Sequence, residues 1–106
     1  MIPKIGVDLV DLRRIDEHLI SKVLSPSEIE EISKISNPLA RCQFIGSRFA
    51  AKEALFKATQ TTLSMSEVTV SHRSTGEPYF VQYPSVSLSL SHETDFAIAF
   101  VMTDNM

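Results

Sequence analysis

Residues 4–10, KIGVDLV, alternate in polarity: Ile5, Val7 and Leu9 share one side, Asp8 and Val10 the other, the period-two signature of a strand. An acid inside so apolar a run is costly unless it meets a cation or water, as on a solvent-facing edge strand or in an ion pair. The following DLRRIDEHLI places Leu12, Ile15 and Leu19 on a common side with Arg13 and Arg14 outward, which predicts a helix start. Ser25-Pro26-Ser27-Glu28 predicts another: Ser25 caps, Pro26 suits the first helical position and Glu28 completes a capping box. Ile29, Ile32 and Ile35 then line one face. Asn37-Pro38 ends that helix and caps a third, from Pro38 to about Thr59.

This third helix contains Arg48 to Ala58, RFAAKEALFKA. It is so apolar that it is predicted to be mostly buried, with its charges paired, solvated at an edge, or holding something. Glu53 and Lys57, four apart, share a face, and their simplest use is an i,i+4 ion pair worth a few tenths of a kcal/mol. From Thr61 the period changes. Val68 and Val70 alternate with polar neighbours, Ser74-Thr75-Gly76-Glu77 marks a turn, and Tyr79 and Val81 follow, which predicts a hairpin. In SVSLSLSH, Val86, Leu88 and Leu90 share a face that His92 continues; after the HETD turn, FAIAFVM predicts a strand buried on both faces. The class is α+β, a mainly antiparallel sheet packed against a long central helix.

A chain of 106 residues predicts one domain spanning 1–106, with a core small enough that association would help. The lone Cys42 excludes an internal disulfide and a cysteine-rich zinc site, and reads as a small apolar filler on a helix. The N-terminal run is too short for a signal peptide or membrane span, so the cytoplasm is expected. A net charge of −3 argues against a general nucleic-acid binder. Of the ten Lys and Arg, all but Arg73 lie within the first 57 residues, enough to form a basic patch for an acidic partner or simply a scattered surface.

Asp8 and Glu53 are the acids that sit within strongly apolar segments. Two carboxylates with a lysine one turn away suit Mg²⁺, which keeps several waters and shares its remaining sites with phosphates. Lys57 can then meet phosphate oxygens as a point charge; the bland alternative is that all three are structural. His92, ending an apolar strand face, reads first as a capped structural residue and second as a site residue. Ser87, Ser89 and Ser91 lack a base or an elbow motif, and no P-loop, dinucleotide fingerprint or His-rich metal motif occurs.

Three stretches together, IGVDLVDLRRI at 5–15, RFAAKEALFKA at 48–58, and GEPYF at 76–80 with SLSLSHETDFAIAFV at 87–101, resemble the holo-(acyl-carrier-protein) synthase family, the small 4′-phosphopantetheinyl transferases. The resemblance implies transfer of the phosphopantetheine arm of coenzyme A to a serine of an apo acyl carrier protein, releasing adenosine 3′,5′-bisphosphate, in fatty acid biosynthesis. By position, it makes Asp8 and Glu53 the Mg²⁺ ligands, Lys57 a phosphate contact, and Glu53 or a water that it holds the acceptor of the serine proton. Arg14 matches an arginine that meets the acidic helix of the carrier protein. Arg48, Pro78 and His92 match positions lining the coenzyme A pocket. The family's trimers, with each site built from two neighbouring subunits, imply the same here. Two departures stand out: ATQTTLSMSEV lacks the glycines common after the helix, and the Phe80 to Val86 connection is brief. Two other classes fit the same residues: a non-catalytic module binding an acidic protein, and a metal-dependent phosphohydrolase.

Overall fold

The computed structural model describes residues 2–104. Strand β1 (Lys4–Asp11) is followed by helices α1 (Ile20–Val23), α2 (Pro26–Ile32) and α3 (Pro38–Ala58), then strands β2 (Val70–His72), β3 (Pro78–Phe80), β4 (Ser87–His92) and β5 (Phe96–Thr103). β1, β5 and β4 form an antiparallel sheet in that order, and β2 and β3 form a separate hairpin. The α+β arrangement with a long helix across an antiparallel sheet is as expected.

The sheet's inner face is made of small residues. Gly6, Ala97, Ala99 and Val101 are buried there, so α3 lies close against β1 and β5. At Gly6 the approach is backbone to backbone: a Cβ added there would stand 2.0 Å from the Ala54 carbonyl oxygen. Only glycine leaves that space. α3 starts as predicted, with Pro38 in its first turn and the Asn37 side chain accepting from the Ala40 N–H at 2.9 Å.

The outer face departs from expectation. β5 is not buried on both faces but alternates strictly, with Phe96, Ile98, Phe100 and Met102 outward. On β1 the apolar trio Ile5, Val7 and Leu9 also faces outward, and it is the Gly6–Asp8–Val10 side that packs on α3. Cross-strand pairs Ile5–Met102, Val7–Phe100 and Leu9–Ile98 make one apolar ladder, each residue 42–63% exposed. β4 borders it with Ser87, Ser89 and Ser91.

Two helix expectations are also corrected. DLRRIDEHLI forms single 3₁₀ turns at Leu12–Arg14 and Glu17–Leu19 before the one-turn α1. The Asp11 and Asp16 side chains each accept from the backbone N–H two residues on, restarting the chain instead of propagating a helix. In α2 the capping box of Ser25 and Glu28 is present, but the inward residues are Glu28 and Ile32, and Ile29 is exposed.

Glu28 turns inward because Lys52 of α3 is there. Both side chains are fully buried. Lys52 Nζ donates to Glu28 Oε1 at 2.6 Å, to the Val23 carbonyl at 2.6 Å and to the Met65 carbonyl at 3.0 Å. Glu28 also accepts from the Ser25 and Val70 N–H groups at 2.9 and 2.8 Å. One ion pair thus ties α1, α2, α3, the 65–67 turn and β2 together. Burial pushes the Lys52 ammonium below its ordinary pKa, and the Glu28 charge opposes that shift. Removing the cation strands a carboxylate in the core, so Lys52→Met should lower unfolding free energy by about 3–5 kcal/mol. Adding Glu28→Met should recover only part of it, since the Ser25 and Val70 donors stay unmet. Urea unfolding at fixed protein concentration measures both; a loss of under ~1 kcal/mol for Lys52→Met would remove the pair's structural role.

Candidate active site

β1 and the C-terminal half of α3 bring the first group together. Because Gly6 lets the two backbones touch, Asp8, two residues on and on the same inner side, comes within reach of α3. Lys57 Nζ donates to Asp8 Oδ1 at 3.1 Å and to the Val7 carbonyl at 2.9 Å. Lys57 therefore pairs with Asp8 across the fold rather than with Glu53 along the helix, which replaces the simpler i,i+4 reading. Glu53, one turn before Lys57 and part-buried, has no hydrogen-bond or ion-pair partner among the described residues. No group of three or more His, Cys, Asp or Glu that could hold a metal occurs among the described residues. Two hard oxygen donors are the complement that Mg²⁺ accepts when water and phosphate complete its shell, so the donor set fits that ion.

The second group lies elsewhere. Arg48, Pro78 and His92 meet at one cavity of about 410 Å³, between α3, β4 and the β2–β3 hairpin. Phe44, Leu90 and His72 also line it, and its lining includes no carboxylate. The buried Arg48 guanidinium stacks on the Phe44 ring at 3.8 Å and donates from Nη1 to Ser47 Oγ at 3.1 Å. Its contact with Glu31 is long, 3.7 Å, and Nε has no partner among the described residues. Burial pushes its pKa down against the pull of Glu28 and Glu31. His92 is exposed at the end of β4 and has no hydrogen-bond or ion-pair partner among the described residues, so it is not the capped structural histidine that its sequence position first suggests.

The two groups occupy opposite sides of α3. At about 100° and 1.5 Å per residue, Lys57 lies half a turn round from Arg48 and about 13 Å along the axis, with Glu53 about 140° round. One chain cannot bring both to a single ligand atom.

Arg14 stands apart again, exposed on the turn after β1 and without a hydrogen-bond or ion-pair partner among the described residues. Its neighbour Arg13 is tied down, bonded to both Asp11 oxygens at 2.9 and 3.1 Å with its guanidinium 5.4 Å from the Phe96 ring centroid. Three residues escaped the sequence reading. Glu28 and Lys52 gave no signal beyond the capping box, since each looks like an ordinary helix charge. His72 did give one: it follows Val70 by two and so shares its strand face.

The model for the 4′-phosphopantetheinyl transferase superfamily matches residues 4–101. A holo-[acyl-carrier-protein] synthase of Petrotoga mobilis is 33% identical over 111 residues, covering 93% of each chain. That of Acholeplasma laidlawii is 35% identical over 115 residues, covering 98% of each. Among solved structures, the holo-(acyl-carrier-protein) synthase of Bacillus anthracis, crystallised in complex with CoA (3′,5′-ADP), superposes with a TM-score of 0.83 at 30% identity, covering 93% of both chains. With the family model matching nearly the whole chain and relatives above 30% identical along almost all of their length, the chain belongs to the 4′-phosphopantetheinyl transferase superfamily.

Proposed function

We propose that this chain, as a single domain over residues 1–106, is a Mg²⁺-dependent holo-[acyl-carrier-protein] synthase acting in the cytoplasm. It would move the phosphopantetheine arm of coenzyme A onto a serine of apo acyl carrier protein. The observation that carries the reading is the sorting of the site residues: Asp8, Glu53 and Lys57 on one side of α3, and Arg48, Pro78 and His92 around one cavity on the other. A module that only binds an acidic protein has no need of either group. Among the described residues no helix is long and apolar enough to cross a membrane.

Asp8 and Glu53 would hold the Mg²⁺, which when bound neutralises charge on the diphosphate of coenzyme A. Lys57 already donates to Asp8, and a phosphate oxygen arriving beside Asp8 gives its ammonium a second anion to meet. That ammonium stabilises charge on the departing phosphate. Glu53, free of any partner among the described residues, accepts the serine proton directly or through a water. The serine oxygen bonds to the phosphorus bearing pantetheine as the bridging P–O bond breaks, and adenosine 3′,5′-bisphosphate leaves.

Two copies are needed to complete the site, because Arg48 and Lys57 point away from each other. The exposed ladder of Ile5, Val7, Leu9, Ile98, Phe100 and Met102 supplies a surface for that contact, since a patch so apolar on a small chain marks an interface. A closed ring of three copies, each lending its Arg48 pocket to the next copy's acids, satisfies both facts. Arg14, which has no hydrogen-bond or ion-pair partner among the described residues while Arg13 is clamped, would meet the acidic surface of the carrier protein.

Incubation with coenzyme A, Mg²⁺ and an apo carrier protein should add one phosphopantetheine unit to the carrier, read by mass spectrometry. Asp8→Ala and Glu53→Ala should each lower turnover by at least about 100-fold with melting curves preserved; full activity in either refutes the assignment. Product phosphate on water instead of the carrier serine would point to the phosphohydrolase. Arg14→Ala should raise KM for the carrier protein by about fivefold to tenfold and leave KM for coenzyme A unchanged, and equal rises would count against its role. Co-expressing inactive Asp8→Ala with inactive Arg48→Ala chains should restore about a quarter of wild-type activity, because mixed neighbours rebuild one intact site in four. No recovery would mean that each chain works alone.

A further inference from the structure

We infer that Arg41 and Glu17 are positioning residues for carrier-protein docking: their ion pair holds the segment that carries Arg14 against α3, and so sets where Arg14 is presented to an acidic partner. This deepens the function proposed above and rests on Arg14 having the role given there. The 3₁₀ turns at Leu12–Arg14 and Glu17–Leu19 are single turns, too short to keep a shape without outside contacts. Three residues of α3 supply such contacts. A Cβ added at Gly46 would stand 2.2 Å from Leu12 Cδ2, so the absence of a side chain there seats the buried Leu12 on the helix. Cys42, four residues earlier on the same helix face, donates from Sγ to the Ile15 carbonyl at 3.6 Å. Arg41 donates from Nε and Nη2 to Glu17 Oε1 at 3.1 and 2.7 Å. Arg14 lies inside this span, one residue before Ile15 and three before Glu17.

Arg41 is itself held from a second direction. Its Nη1 donates to the Ile32 and Ile35 carbonyls at 2.9 and 2.8 Å, at and just beyond the end of α2, where carbonyls lack α-helical partners. A guanidinium fixed in this way gives up little further freedom in pairing, so the bond constrains the segment although Glu17 is largely exposed. A cleft of about 370 Å³ is lined by Ile15, Asp16 and Glu17 on one side and by Pro38, Arg41 and Cys42 of α3 on the other. Packing leaves a gap there, and the Arg41–Glu17 and Cys42–Ile15 bonds join its two walls. Charge alone assigns Glu17 the opposite effect. An acid three residues from Arg14 repels an acidic carrier protein and weakens docking, whereas an anchor for Arg14 strengthens it. The sign of one substitution separates the two.

Steady-state transfer by the full chain with coenzyme A, Mg²⁺ and apo carrier protein tests this. Glu17→Gln should raise KM for the carrier about twofold to fivefold and leave kcat and KM for coenzyme A unchanged. Arg41→Lys, which keeps the charge but loses the fork that serves Glu17 and the α2 carbonyls together, should do the same. Adding Glu17→Gln to Arg14→Ala should raise carrier KM no further than Arg14→Ala alone, because the pair acts through Arg14. In either single variant, a carrier KM that falls or stays unchanged, or an equal rise in KM for coenzyme A, overturns the inference while the enzyme reading stands. Full additivity with Arg14→Ala also overturns it. A carrier KM unmoved by Arg14→Ala overturns the docking role of Arg14 and this inference together, and no transfer by the wild-type chain overturns the functional reading with both.

Discussion

The contact of β1 with α3 at Gly6 is the constraint on which the site depends. Where a side chain would collide with the Ala54 carbonyl, the strand and helix backbones touch, and that approach fixes the height of Asp8 above the helix. The small residues Ala97, Ala99 and Val101 continue the same close packing across β5, so α3 lies flat on the sheet over much of its length. Asp8 then meets Lys57 at 3.1 Å. An alanine at position 6 would push the strand away from the helix and separate these charges.

The same rigid helix divides the site's chemistry. Arg48 and its cavity belong to the N-terminal half of α3 and the elements packed there, and the acids belong to the C-terminal half and β1. A straight helix cannot bend residues half a turn apart into one pocket. In the proposed reading the division is resolved between copies, and the apolar ladder on the outer sheet face gives those copies a reason to associate. In that reading, covering this face would also add to the core of so short a chain, since the large side chains of β1 and β5 lie outside the small inner face.

Lys52 and Glu28 show a different use of charge. Their pair is fully enclosed and touches four other backbone groups, so each donor and acceptor has a defined place. Such a pair adds little net stability over apolar filling, but it permits one arrangement of α1, α2, α3 and β2 and penalises others. It sits one residue before Glu53 and four after Arg48 on α3, and so fixes the rotation of the helix that carries both.

Much was determined by sequence alone. The helix from Pro38, the Ser25 capping box, the 74–77 turn and the alternation of β1 and β4 were all legible, because local capping and period are carried by neighbouring residues; the grouping of Arg48, Pro78 and His92 came from the family resemblance alone. Tertiary structure decided the rest. Alternation shows that a strand has two faces but not which one the chain covers, and β1 turned its acid inward because only the Gly6 side permits close approach. Helical spacing offered Glu53 as the partner of Lys57, yet an ammonium on a flexible stem takes the better-placed carboxylate, and Asp8 arrives from 49 residues away. Lys52 looked like any surface lysine because nothing near it in the chain reveals Glu28, 24 residues earlier. Pairings between distant segments depend on packing, and the pattern of a single segment does not contain them.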